Sequence, residues 1–165
     1  MKLVTILFLR KGDRLLLAMK KRGFGAGKWN GMGGKIHEGE IIENAAIREL
    51  EEEVGIQGKA ENLEKVALLK FRCAKPDFNW DVHVFFLRNW EGEPVETEEM
   101  RPQWFPVDAI PYDSMWVDDK HWLPEVLAGR KLEAEFVFND DQSGFLSFSI
   151  DDLGSIVSKC IKPNW

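Results

Sequence analysis

The chain has almost no cysteine: Cys73 and Cys160 are the only two. A pair cannot frame a disulfide-stapled fold, and no zinc-ligand spacing surrounds either, so a reducing compartment fits. A basic excess is missing too. With 22 lysines and arginines against 28 aspartates and glutamates, the net charge is −6 and the isoelectric point about 5.2. That balance argues against nucleic-acid polymers, whose affinity comes from cations neutralising phosphates, while leaving room for a small anion delivered with a metal ion. Long apolar runs are also lacking. Nothing approaches the ~20 apolar residues of a membrane span. Lys2 followed by LVTILFL is short, runs into RKGDR and has no small-residue cleavage site, so it reads as a strand and not as a leader. Repeats and low-complexity linkers are absent. The expectation is a cytoplasmic monomer that engages no membrane.

What is present suffices for one domain. A chain of 165 residues, 44% hydrophobic and 30% charged, can bury a proper core but is short for two. Residues 1–165 are therefore read as a single domain, with a tail from about residue 151. Leu3 to Leu9 and Leu15 to Lys20 read as strands joined by a hairpin at Lys11-Gly12-Asp13. Lys65 to Cys73 and Trp80 to Leu87 are strand-like, and RPQWFPV adds a short extended piece. PYDSMWVDDKHWLPEVLAG enters a helix near Asp118 or Asp119 and leaves it at Gly129. EAEFVF and FLSFSI, separated by NDDQSG, form a late hairpin. This order predicts an α+β domain, an α/β/α sandwich around a mixed or antiparallel sheet.

The glycine-rich RGFGAGKWNGMGG superficially invites a dinucleotide or P-loop reading. A Walker motif would need glycine at Trp29 and Ser or Thr at Ile36, and the strand-helix-strand setting is missing. More telling is the helix after it. On a helical wheel starting at Ile42, the apolar Ala46, Leu50 and Val54 follow one arc, yet Glu49 and Glu53 flank that arc at about 340° and 20°. A merely solubilising acid would sit where Glu51 does, near 180°. Glu49, Glu52 and Glu53 repel one another. Arg48 alone cannot neutralise them, and no lysine lies between Ile41 and Val54. A divalent cation would, since hard cations take carboxylates together with substrate phosphates and water. A phosphorylated substrate is expected.

Gly34, Glu40, Arg48, Glu49, Leu50, Glu52, Glu53, Gly55 and Ile56 fill every fixed position of G-x5-E-x7-R-E-U-x-E-E-x-G-U, the Nudix box, with U aliphatic. The chain thus resembles the Nudix hydrolases. MKKRGFGAGKWNGMGGK, WDVHVF, EMRPQWF and MWVDDKHW are similar to the animal branch that hydrolyses oxidised purine nucleoside triphosphates. The resemblance implies a box at 34–56 whose Glu49, Glu52 and Glu53 hold Mg2+, with Mn2+ as a substitute. Arg48 would orient them, the Gly33 carbonyl would add a ligand, and Glu99 would be a supplementary acid on the metal side. It further implies a purine pocket lined by Thr5, Lys20, Phe24, Asn30, Phe71, Trp80, Trp116, Asp118 and Asp119. Departures are Trp80 for the usual methionine, Val117 for proline and Cys73 for an aromatic, which bear on substrate ranking and leave the metal chemistry untouched.

Physical chemistry supports that pocket independently. Trp80 and Trp116 can sandwich a purine by stacking, although tryptophans also serve in cores. Asp118 and Asp119 can be a helix cap and a first-turn acid. In an aromatic pocket they would instead repel and share a proton, one donating while the other accepts. Lys20 can meet phosphate, base or only solvent. His37, His83 and His121 are scattered without a triad. The expected reaction is Mg2+-dependent hydrolysis of a free nucleoside triphosphate to monophosphate and pyrophosphate. Alternatives are hydrolysis of another nucleoside diphosphate-linked substrate, or a nucleotide-binding module without catalysis. The latter would usually have lost box glutamates, and none is lost here.

Overall fold

The computed structural model describes residues 1–75 and 78–154. The strands are β1 (Lys2–Lys11), β2 (Arg14–Lys20), β3 (Trp29–Asn30), β4 (Leu63–Cys73), β5 (Trp80–Leu87), β6 (Met100–Pro106), β7 (Leu132–Phe138) and β8 (Phe145–Asp152). Two α-helices accompany them among the described residues, α1 (Ile42–Val54) and α2 (Asp119–Leu127). The strands run in the order β3-β2-β1-β5-β4-β7-β8, with β6 also paired to β2. The β1–β5 and β4–β7 pairs are parallel; the other ladders are antiparallel. The sheet is therefore mixed.

Alternation along β1 explains why a helix covers each face. Leu7 and Leu9 pack with Ala46, Leu50 and Val54 of α1 and with Phe85 and Leu87 of β5. Phe8, between them, points the other way and packs with Trp122, Leu123 and Val126 of α2 and with Phe86 and Phe136. Successive strand side chains face opposite sides, so each apolar set needs its own cover. The expected α/β/α layering follows from that pattern.

One feature of the ladder makes room for a site. β1 and β2 pair only beside their hairpin, at Arg10↔Leu15 and Lys11↔Arg14. Beyond it β2 turns to β6 and β3, while β1 receives isolated bridges from Met32 and Lys35. The short β3 within the glycine-rich segment was invisible to periodicity, being two residues long. The sequence boundary of the tail also shifts: Asp151 and Asp152 complete β8, paired with Glu133 and Leu132. Cys160 and the rest of the expected tail from residue 155 lie outside the described residues.

Candidate active site

Helix α1 begins without a side-chain cap at Ile41 and ends on Gly55, whose φ of 72° is left-handed and whose N–H bonds the Glu51 carbonyl at 3.0 Å. Within that frame the acids separate as the wheel requires. Glu51 and Glu52 are exposed, whereas Glu53 is only 7% exposed. Arg48 is the hub. It makes ion pairs with Glu40 at 2.8 Å, Glu49 at 2.9 Å and Glu52 at 3.3 Å, and also donates to the Lys35 carbonyl at 3.2 Å. Glu40, to which the sequence reading gave no job beyond filling the motif, thus anchors the arginine. Those bonds hold the Glu40 carboxyl at about 2, well below the ordinary range, so the clamp persists into acid.

The glycines before the helix are required by close approach. A Cβ on Gly33 would fall 1.8 Å from the Thr5 backbone oxygen, and one on Gly34 would fall 2.4 Å from a Glu49 carboxylate oxygen. Gly33 also donates its N–H to Glu53 Oε2 at 2.9 Å. Gly33→Ala should therefore lower Tm by several degrees, because overpacking costs about 1–3 kcal/mol and the obstructing atom is backbone. Gly144→Ala, whose nearest neighbour would be 3.7 Å away, is the control. Thermal melts of both variants check this, and a Gly33→Ala melt equal to wild type would refute the close approach.

Glu53 is the electrostatic oddity. Burial, opposed in part by the Gly33 bond and reinforced by nearby Glu49 and Glu99, raises its carboxyl to about 8. A buried acid beside other acids suits a divalent cation, which would favour the charged form. Among the described residues, no three acidic, histidine or cysteine side chains already converge as a cation cage. The remaining oxygens would come from backbone, water and substrate phosphate, the usual environment of magnesium. Glu99 is exposed and accepts from Arg22 at 3.2 Å. Its charge is felt at Glu53, but its side chain does not line the adjoining cavity.

That cavity measures about 520 Å³ and opens where β1 and β2 part. Every residue assigned to the purine pocket from sequence lines it: Thr5, Lys20, Phe24, Asn30, Phe71, Trp80, Trp116, Asp118 and Asp119. Gly33, Gly34 and Glu53 border the same space, whereas Arg48, Glu49 and Glu52 do not line it. The Phe24 ring lies 5.1 Å from Trp116, stacked on it, and 6.1 Å from Trp80. Its loop holds it there, with Gly23 and Gly25 both left-handed around it. A stacked base must therefore share this space with Phe24 or displace it.

Asp118 and Asp119 are each 3% exposed. Asp118 occupies the cap position of α2, but its side chain makes no capping bond. Instead Asp118 Oδ2 accepts from the Trp122 indole N–H at 3.1 Å, and Asp119 Oδ2 accepts from the Trp116 backbone N–H at 3.1 Å. Burial raises both carboxyls, and their mutual repulsion raises Asp119 further. The sequence reading missed Trp122, although its place four residues after Asp118 was the signal for such a bond. It also missed Lys28, Phe78, Phe138 and Gln142, which line the cavity from separate segments.

The model of the NUDIX domain family matches residues 2–126. The chain belongs to the Nudix family. It is 45% identical over 154 residues to the oxidized purine nucleoside triphosphate hydrolase of Mus musculus, covering 93% of this chain and 97% of that protein. The protein of the same name from Danio rerio is 49% identical over 137 residues, 83% of this chain and 86% of its own length. Among solved structures, the MutT protein of Bacillus halodurans superposes with a TM-score of 0.80 at 28% identity, covering 92% of this chain and 98% of that one. This chain is accordingly a Nudix hydrolase, acting on pyrophosphate bonds with a divalent metal. Among the described residues, no helix of this Nudix protein is long and apolar enough to cross a membrane.

Proposed function

We propose that this Nudix hydrolase cleaves oxidised purine nucleoside triphosphates, of the 8-oxo-dGTP and 2-hydroxy-dATP type, to monophosphate and pyrophosphate. The observation that carries the reading is the continuity of one cavity from Glu53 to the buried Asp118 and Asp119. Its two ends ask for different parts of one molecule. The glutamate end suits a polyphosphate with Mg2+, or Mn2+ as a substitute. The aspartate end, walled by Trp116, Phe24 and Trp80, suits a flat base with donors and acceptors at its edge. The names of the mouse and zebrafish relatives agree with this substrate class.

A bound divalent ion supplies phosphoryl polarisation and lowers the pKa of an attacking water. The protein's own part is positional. Glu53, Glu49 and Glu52 present carboxylate oxygens, with the Gly33 carbonyl beside them and Glu99 as a supplementary acid. Arg48 holds Glu49 and Glu52 in their orientation through its anchor on Glu40. Lys20 borders the cavity beside the acids and is placed to meet phosphate. Thr5, Asn30 and Phe71 complete the walls of the purine site, and the aromatic rings exclude water from the base. No covalent nucleophile is required, since water forms the new P–O bond at one of the bridged phosphorus atoms and the other product leaves with the electrons of the broken one. We read residues 1–165 as one domain working as a cytoplasmic monomer on free nucleotides, because both ends of the cavity are built from this one chain and its acidic balance disfavours nucleic-acid polymers.

Hydrolysis of 8-oxo-dGTP and 2-hydroxy-dATP in water enriched with heavy oxygen tests the reaction. Pyrophosphate and monophosphate should be the first products, with one label in one of them. Orthophosphate as the primary product, or no turnover of either substrate, would overturn the proposal.

A further inference from the structure

The turn between β7 and β8, Asn139 to Gly144, uses the side chains of Asn139, Asp141 and Ser143 on itself. Asn139 donates to Ser143 Oγ at 3.2 Å and accepts from the Gly144 N–H at 3.3 Å. Asp141 accepts from both the N–H and the hydroxyl of Ser143, at 3.0 and 2.7 Å. The turn is also tied to the strand end beside it. Lys75 donates to the Asp140 carbonyl at 3.1 Å, and the Cys73 thiol lies 3.6 Å from the Asn139 carbonyl. Such wiring fixes the turn as a platform.

Gln142 stands apart on three counts. Its φ of 59° makes it the one non-glycine residue in the left-handed region among those described. A side chain there crowds the backbone, and glycine or asparagine would be the easier choice. It is the only residue of the turn that lines the cavity, at the end walled by Phe78, Trp80 and Phe138. Finally, its backbone N–H bonds the Asn139 carbonyl at 3.0 Å, whereas its side-chain amide bonds to no other described residue. A strained backbone holding an uncommitted donor and acceptor against a ligand-sized space is the pattern expected of a recognition group.

We propose that Gln142 is a further specificity residue, whose side-chain amide hydrogen-bonds a nitrogen or oxygen of the purine nucleoside. This rests on the reading of the cavity as a purine nucleotide site. The amide can donate through its nitrogen and accept through its oxygen without a change of charge. It therefore complements the aspartate pair, which reads the base from the α2 side. Because the turn is pinned by Asn139, Asp141 and Ser143, the backbone of Gln142 is held at the cavity before the base arrives.

The test compares Gln142→Gly with Gln142→Ala. Glycine removes the amide and relieves the left-handed backbone, whereas alanine removes the amide and keeps the strain. Binding of 8-oxo-dGMP, dGMP and inorganic pyrophosphate is followed by tryptophan fluorescence or calorimetry. In parallel, kcat and KM are measured for 8-oxo-dGTP. One neutral hydrogen bond is worth about 0.5–1.5 kcal/mol, so both variants should bind the purine monophosphates roughly two- to tenfold more weakly. KM should rise to match, with kcat and pyrophosphate affinity kept, and Gln142→Gly should melt at or above the wild-type temperature. Purine affinity equal to wild type in both variants overturns the inference while leaving the purine site standing. A loss in Gln142→Ala that Gln142→Gly does not share also overturns it, because the role would then be conformational. If the unmodified protein binds neither purine monophosphate, the purine reading falls and the inference with it.

Discussion

Glu53→Gln is expected to remove measurable hydrolysis, a loss of at least about a thousandfold, while leaving the protein folded. The loss follows from the several kcal/mol of transition-state stabilisation that a correctly held metal supplies. Folding should survive because glutamine keeps the shape and can still accept the Gly33 N–H bond now made at 2.9 Å. The sign of the stability change can be worked out. Wild-type Glu53 has a folded pKa raised to about 8, against an unfolded value of about 4.3. Its favourable contribution is therefore present below about 4.3 and is lost as pH rises through about 8. With the metal chelated, Glu53→Gln should accordingly be as stable as wild type below about pH 4 and increasingly more stable as pH rises to 8. Adding Mg2+ should raise the wild-type Tm, since a ligand of the native state stabilises it, and should raise the variant's far less. A folded variant with wild-type turnover would remove Glu53 from the metal site.

The second large effect is expected at the aspartate pair. Asp118→Asn and Asp119→Asn should change which purine is accepted far more than they change the metal-dependent step. Two buried carboxyls sharing a proton offer one donor and one acceptor, and can exchange those roles for an oxidised guanine or a hydroxylated adenine. An amide cannot exchange them by proton transfer. One mispaired buried group costs about 1–3 kcal/mol, so the ratio of kcat/KM for 8-oxo-dGTP to that for 2-hydroxy-dATP should move by roughly ten- to a hundredfold. Because burial raises both carboxyls, their stabilising contribution is present below the ordinary aspartate value of about 3.9 and is lost as pH rises through the raised ones. Each variant should flatten that part of the stability profile. A uniform drop across both substrates and dGTP would mean that the aspartates only support the start of α2.

The placement of the acids on α1 was legible in sequence because they are contiguous. Glu49, Glu52 and Glu53 share one helix, and helical periodicity alone places two of them beside the buried arc. The strands were equally legible where they alternate, as in β1 and β5. What could not be read were contacts between segments far apart in the chain. The anchoring of Arg48 by Glu40 depends on how the loop after Gly34 folds back, and β3 is too short for any period to show. The nine purine-pocket residues came from resemblance, not from periodicity, since they lie on separate strands, a loop and the start of α2. Phe24, in contact with both tryptophans, illustrates the gap. Its place is set by left-handed glycines, whose backbone conformation no composition or spacing reveals. Gln142 is a sharper case, for nothing in NDDQSG singles out that residue as the one to face the cavity.

The most direct measurement is kcat/KM of the unmodified protein for 8-oxo-dGTP and dGTP, followed by pyrophosphate release with Mg2+ and again with the metal chelated. The proposal of a metal held beside Glu53 and a purine read by Asp118 and Asp119 predicts a preference for 8-oxo-dGTP of at least about tenfold, the worth of one well-matched polar contact. It also predicts loss of both activities on chelation. Equal use of the two nucleotides, or pyrophosphate release that persists without metal, would contradict it.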